Sequence, residues 1–534
     1  MNQAEIKRRQ TEAFSNILTL ITLVVIARVT GENGVAYLAA ALEIWGLVWI
    51  FISGNVSDTL GRLLRVRNTK GQYKNVLKMR RSVLAFQAIL GVVGSLLVLG
   101  FADRLSDVLF RMQYSTFILI VLAPAVFLRT VSSVLLGYFQ GEGTELPTAA
   151  SAVLRQIFIL GFGLLFGKML GNYGDKVSRL LLQDNFTSMY GGVGIAIAIS
   201  LTEIFIVIFL FLIYKGTKRP KAKIQDDGMR FTDSFFDSIR IFCVNRGAQL
   251  GIQLLAFLPL PLGLLFLQKA VEDVDETALE YGAYLSGYVV VCGIITALIF
   301  MVILPVTGRV FVHLRKEEQR YAKAVFQSGL HICVVHGIFA AVILTALASQ
   351  TASVVSHGQP GVVSKMFVGG ASVILFFSLA LYFGKLLMLA GRKLFVLGAL
   401  AVSDVIFAVS VTVFLNTGEM GARALVYGGM IAAGILCVLL GTLACKQLHC
   451  RFDWLQVVVI PVGAACISGL LVMLLAKLLT PHVGNLITIL VTLVTGGAIY
   501  WILLLLVRNF KEHETEVIPG GRVINAVGQM LRVF

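Results

Sequence analysis

Charge is scarce in this chain. Of its 534 residues 14% are charged, against about a quarter in soluble globular proteins. No polar stretch is long enough to make a soluble domain. Proline is rare, with ten residues, and the seven cysteines show no paired spacing of the kind that marks disulfides or metal sites. They lie within or beside apolar runs and read as small packing residues. No glycine-rich phosphate loop is present, which argues against direct ATP hydrolysis. No small-residue cleavage site separates Lys7-Arg8-Arg9 from Arg28, so the first apolar run is expected to stay in the chain.

What fills the chain instead is hydrocarbon: 57% hydrophobic residues and a mean hydropathy of +0.86. Fourteen apolar runs, from 14–30 and 35–57 through 236–268 to 484–508, are each about long enough to cross a bilayer as a helix. In lipid the backbone must satisfy its own hydrogen bonds, so such runs predict an all-α polytopic membrane protein. The Lys and Arg residues set the orientation. The N-terminus, every second loop and the C-terminal tail hold 31 of them, the opposite loops 9. Positive charge stays on the cytoplasmic side, so both termini are expected there, in the cell membrane. The net charge of +16 then matches contact with anionic membrane lipids, not nucleic acid.

An internal repeat runs through the chain at an offset of about 247 positions. Gly34, Tyr37 and Leu38 match Gly282, Tyr284 and Leu285, and Gly61-Arg62 matches Gly308-Arg309. A further echo joins Tyr138-Phe139 to Tyr382-Phe383. The implied plan is two pseudo-symmetric six-helix lobes, 1–235 and 236–452, followed by helices 13 and 14 with a cytoplasmic tail in 453–534. Parallel repeats of this kind place a transporter's substrate near the midplane between lobes that open alternately.

Two stretches carry a resemblance to a known family. They are RTVSSVLLGYFQGEGTELPTAASAVLRQ, from Arg129 to Gln156, and YFGKLLMLAGRKLFVLGALAVSD, from Tyr382 to Asp404. Together with the helix plan and a terminal IPGGRV at Ile518, they resemble the polysaccharide-transport, stage V sporulation protein B-like family of the multidrug/oligosaccharidyl-lipid/polysaccharide exporter superfamily. The resemblance implies a bacterial flippase that moves undecaprenyl-diphosphate-linked oligosaccharide or cell-wall precursor from the inner to the outer leaflet. Arginines on helices one, two and eight serve the related lipid II flippases. Here only Arg28 has a counterpart, Glu43 stands on the second span, and the eighth span has no arginine.

Five arginines fall inside the spans: Arg28, Arg129, Arg155, Arg240 and Arg246. An uncompensated arginine at the bilayer centre costs roughly 2.5–3.5 kcal/mol even on the gentler scale, so each must be paired, hydrated or facing a cavity. Arg28, Arg129, Arg155 and Arg246 are the candidate substrate-binding residues, because guanidinium groups give a diphosphate bidentate hydrogen bonds and a permanent charge. The acids Glu43, Glu203 and Asp404 are candidates for charge pairing or ion coupling. A structural reading pairs Arg129 or Arg155 with Glu203, Arg28 with Glu43, and Arg246 with Asp404. Pro259 and Pro261 in the seventh span remove backbone donors and predict a bend or hinge.

Lipid-linked saccharide flipping competes with two alternatives. A multidrug or cation antiporter of the same superfamily would favour a net negative cavity, yet five intramembrane arginines face three acids. A membrane-embedded glycosyltransferase or ligase needs polar catalytic loops, and the outer loops here are short. The chain therefore reads as a transporter and not as an enzyme, with no catalytic or metal-binding residues and no bound cofactor. Coupling to an ion gradient or the membrane potential, the identity of the saccharide and an assembly beyond the monomer stay open.

Overall fold

The computed structural model describes residues 3–509 apart from 184, 218–234, 272, 357, 418–419 and 449–453. Five basic residues of the 215–235 loop (Lys218, Arg219, Lys221, Lys223 and Arg230), Cys450 and the IPGGRV tail lie outside the described residues. Among the described residues every regular element is helical. Twelve helices are long and apolar enough to cross a membrane, and a thirteenth span forms from Pro360–Gly370 and Val373–Leu389, bent by 56°. The first of the twelve, Arg8–Thr69, runs for 62 residues and kinks at Gly31, where φ is 74°. It thus contains both of the first two expected runs, 14–30 and 35–57, and counting them apart gives fourteen crossings.

Contacts divide the chain into two compact units, Lys7–Gly282 and one that begins at Ala283. The first unit includes the helices Phe235–Phe257 and Pro259–Ala270 and the start of Val274–Arg315. The long first helix ends at Ser53, and Asn55 turns left-handed at φ 58° before the helix Val56–Thr69 begins. On that short helix Val56, Leu60 and Leu64 recur every four residues and so share one face. They pack against Met79, Val83, Val134, Tyr138 and Phe139. Burial of such a leucine is worth about 1.5–3 kcal/mol, and a charge at position 60 would break the face. Ion pairs fix the same end of the unit. Arg8 reaches Asp58 at 2.9 Å and Glu145 at 3.1 Å, and Arg65 reaches Glu145 at 2.8 Å.

Gly282 explains one of the repeated glycines. A Cβ there would stand 2.0 Å from the carbonyl oxygen of Glu32, beside the Gly31 kink, so only a residue without a side chain lets the two backbones meet.

In the second unit Tyr382 and Phe383 sit 5.8 Å apart and pack on Phe326. This matches the Tyr138–Phe139 pair of the first unit, 5.5 Å apart. The Tyr382 hydroxyl donates to the Phe326 carbonyl at 3.0 Å, which gives a buried polar group its partner. The last two spans, Leu455–Val483 and Asn485–Leu506, join at Gly484, where φ is 77°. They dock on the helix Gln319–Ala346 through Val472, Ala476 and Ile343. The Tyr500 hydroxyl, donating to the Val335 carbonyl at 2.9 Å, pins them there.

Candidate functional site

Three adjacent helices of the first unit, Ser115–Gly141, Leu146–Leu181 and Asn185–Gly216, bring Arg129, Arg155 and Glu203 together. The Glu203 side chain has no exposed surface. Arg155 grips it bidentately, Nε to Oε1 at 2.9 Å and Nη2 to Oε2 at 3.2 Å. Arg129 stands farther off, with Nη1 3.8 Å from the same Oε1. That is a Coulombic contact beyond hydrogen-bond length. Two guanidinium groups thus share one carboxylate, and the cluster keeps a net positive charge.

Two tryptophans that the sequence analysis did not single out hold Arg129. Trp45 and Trp49, one turn apart on the Gln3–Ser53 helix, are stacked with centroids 6.0 Å apart and planes 9° apart. The Arg129 guanidinium lies over both, 4.1 Å from the Trp49 ring and 5.2 Å from Trp45. A desolvated cation–π contact is worth about 2 kcal/mol, which offsets part of the cost of a buried arginine. Arg129 is nevertheless 25% exposed, against 12% for Arg155 and none for Glu203. Of the three it is the group an entering ligand can reach. The (i, i+4) spacing of the tryptophans was the available signal, but nothing in the sequence points their shared face at Arg129.

Arg246 is used differently. It is buried, and its guanidinium caps the C-terminal end of the Gln3–Ser53 helix. Nε donates to the Gly54 carbonyl at 2.7 Å, and Nη2 donates to Phe51 at 2.7 Å and Ile50 at 3.3 Å. The last carbonyls of a helix have no intrahelical donors and carry partial negative charge, so an arginine suits them. Close by, Arg62 donates to Gln249 at 2.6 Å, and Asn55 donates to the same oxygen.

Glu43 is buried and pairs with a hydroxyl, not with Arg28. Tyr281, itself fully buried, donates to Glu43 Oε1 and lies 3.2 Å from the Leu260 carbonyl, while Glu43 Oε2 has no hydrogen-bond partner. Arg28 is exposed, three residues before the kink, and Arg240 is exposed near the start of Phe235–Phe257. In the second unit Asp404 is buried, and its Oδ2 lacks a partner. The seventh span, Phe235–Ala270, runs on through Leu258, which keeps helical φ −57° and ψ −33° immediately before Pro259. The bend at the Pro360–Gly370 break is one that sequence reasoning missed. Among the described residues no group of three or more His, Cys, Asp or Glu could hold a metal ion.

No protein-family model matches the chain. Stage V sporulation protein B of Bacillus subtilis (strain 168) is 24% identical to it across 96% of each chain. An inward-facing multidrug resistance MATE family transporter of the MOP superfamily matches the structure with a TM-score of 0.63 at 12% identity. That match covers 84% of this chain and 98% of the other. The lipid II flippase MurJ, in an inward closed conformation, matches with a TM-score of 0.62 at 13% identity, covering 93% and 98%. The chain is thus similar to stage V sporulation protein B along nearly its whole length and shares its fold with the MATE and lipid II flippase structures. The length and apolarity of its helices make it a multi-pass membrane protein. The Arg129–Arg155–Glu203 cluster and the Arg246 cap are then features inside a fold shared with these transporters, the first keeping a partly exposed guanidinium and the second closed by backbone.

Proposed function

We propose that this protein flips an undecaprenyl-diphosphate-linked saccharide from the inner to the outer leaflet by alternating access, with both termini in the cytoplasm. A sugar head group cannot cross hydrocarbon unaided, because burying each unpaired hydroxyl costs several kcal/mol. The observation that carries the reading is the excess of guanidinium over carboxylate at Glu203, with the excess charge on the more exposed Arg129. A diphosphate can take the donors of Arg129 while Arg155 keeps Glu203 neutralised. The likeness to stage V sporulation protein B and to the lipid II flippase supports the same substrate class.

The test is transport of a fluorescent lipid-linked saccharide in proteoliposomes. Arg129→Gln should lower transport at least about ten-fold, the loss of one charge-assisted contact, with normal expression and folding. Transport equal to wild type would remove Arg129 from the site. A second reading, a cation antiporter, draws on Glu43 and Asp404, each buried with one carboxylate oxygen unpartnered. Drug efflux without lipid transport would select it.

A further inference from the structure

The tryptophan pair has donors that nothing in the structure uses. Both Trp45 Nε1 and Trp49 Nε1 are buried and have no hydrogen-bond acceptor. Buried donors are almost always paired in folded proteins, so two orphans one turn apart on one helix, beside a partly exposed guanidinium, call for a ligand. The ring faces on the Arg129 side are occupied, which rules out a sugar stacking there. The N–H groups lie in the ring planes and point from the edges. Neutral donors of this type suit hydroxyl and amide oxygens, whereas charge goes to guanidinium.

We propose that Trp45 and Trp49 form the saccharide subsite of the transporter, their indole N–H groups binding oxygens of the sugar attached to the diphosphate that Arg129 holds. This rests on the flippase reading above and adds to it the part of the substrate that is not an anion. The rings are near-parallel, with centroids 6.0 Å apart, and stand one helical turn apart on the same helix.

The experiment uses the full-length protein in lipid nanodiscs and two probes, undecaprenyl diphosphate and undecaprenyl diphosphate carrying N-acetylglucosamine. The chain has four tryptophans, so a Trp454→Phe, Trp501→Phe background leaves the pair as the only emitters. The saccharide probe should shift their emission more than the bare diphosphate does. Trp45→Phe and Trp49→Phe keep a ring for Arg129 but delete the donor. Each should weaken binding of the saccharide probe about five-fold more than it weakens binding of bare diphosphate, the usual worth of one hydrogen bond. Arg129→Gln should weaken both. Equal emission shifts with both probes, or phenylalanine variants that affect both probes alike or neither, would overturn the subsite while leaving the diphosphate site in place. The emission readout needs no variant at the pair, so it decides the matter even if the phenylalanine forms fold poorly. Failure of the wild type to bind either probe would overturn the flippase reading, and this inference with it.

Discussion

Arg246 donates to the Gly54 carbonyl at 2.7 Å, joining the Phe235–Phe257 helix to the C-terminal end of the Gln3–Ser53 helix. This arginine is a helix cap, and its removal should show as a loss of stability. Arg246→Ala strands up to two carbonyls, those of Phe51 and Gly54, since Ile50 keeps its bond from the Gly54 N–H, at about 1–3 kcal/mol for each buried group left unsatisfied. A thermal-shift assay in detergent should show a clear fall, with Arg246→Lys intermediate because an ammonium reaches fewer of the carbonyls. Normal stability combined with lost diphosphate binding would instead make Arg246 a substrate ligand.

The Glu203 cluster predicts unequal couplings. In a double-mutant cycle on thermal stability, Arg155–Glu203 should couple more strongly than Arg129–Glu203, because one is bidentate at 2.9 and 3.2 Å and the other a single 3.8 Å contact. Glu203→Ala alone should cost about 3–5 kcal/mol, the penalty for stranding a buried partner. Adding Arg155→Ala should recover part of it. Equal couplings would mean that the two arginines do the same work.

Leu258 adjoins two prolines whose missing N–H groups weaken the helix there. Replacing Pro259 and Pro261 with alanine restores two donors and should stiffen the span. Turnover of a labelled lipid-linked saccharide should fall more than binding does, since a hinge absorbs the backbone rotation of a conformational change. Unchanged turnover, with unchanged spectroscopic distances across this stretch, would leave the prolines as static packing.

Topology is testable by itself. The 31-to-9 distribution of basic residues predicts that reporters fused after Phe534 and within 58–81 read as cytoplasmic. A reporter after Leu182, just past Lys168, Lys176 and Arg179 at the C-terminal end of the Leu146–Leu181 helix, should read as external. An external C-terminus would reverse the assignment and the direction of transport with it.

The sequence by itself determined that the chain is helical, that it crosses the membrane about fourteen times, and that a few charged residues inside the spans matter. Length and apolarity alone dictate these properties, because a backbone in lipid has no other way to satisfy its hydrogen bonds. It also pointed to Arg129, Arg155 and Glu203 as a group, since an unpaired charge there would be too costly. Partner choice was decided only by the tertiary structure. Arg246 meets the carbonyls at the end of the Gln3–Ser53 helix, and Glu43 meets Tyr281 instead of Arg28. Arg129 lies on Trp45 and Trp49. Each of these contacts joins positions far apart in the chain, and which faces meet depends on where helices kink and how closely they approach. The Gly31 kink and the fit of Gly282 against Glu32 set that geometry, and no periodicity in the sequence encodes it.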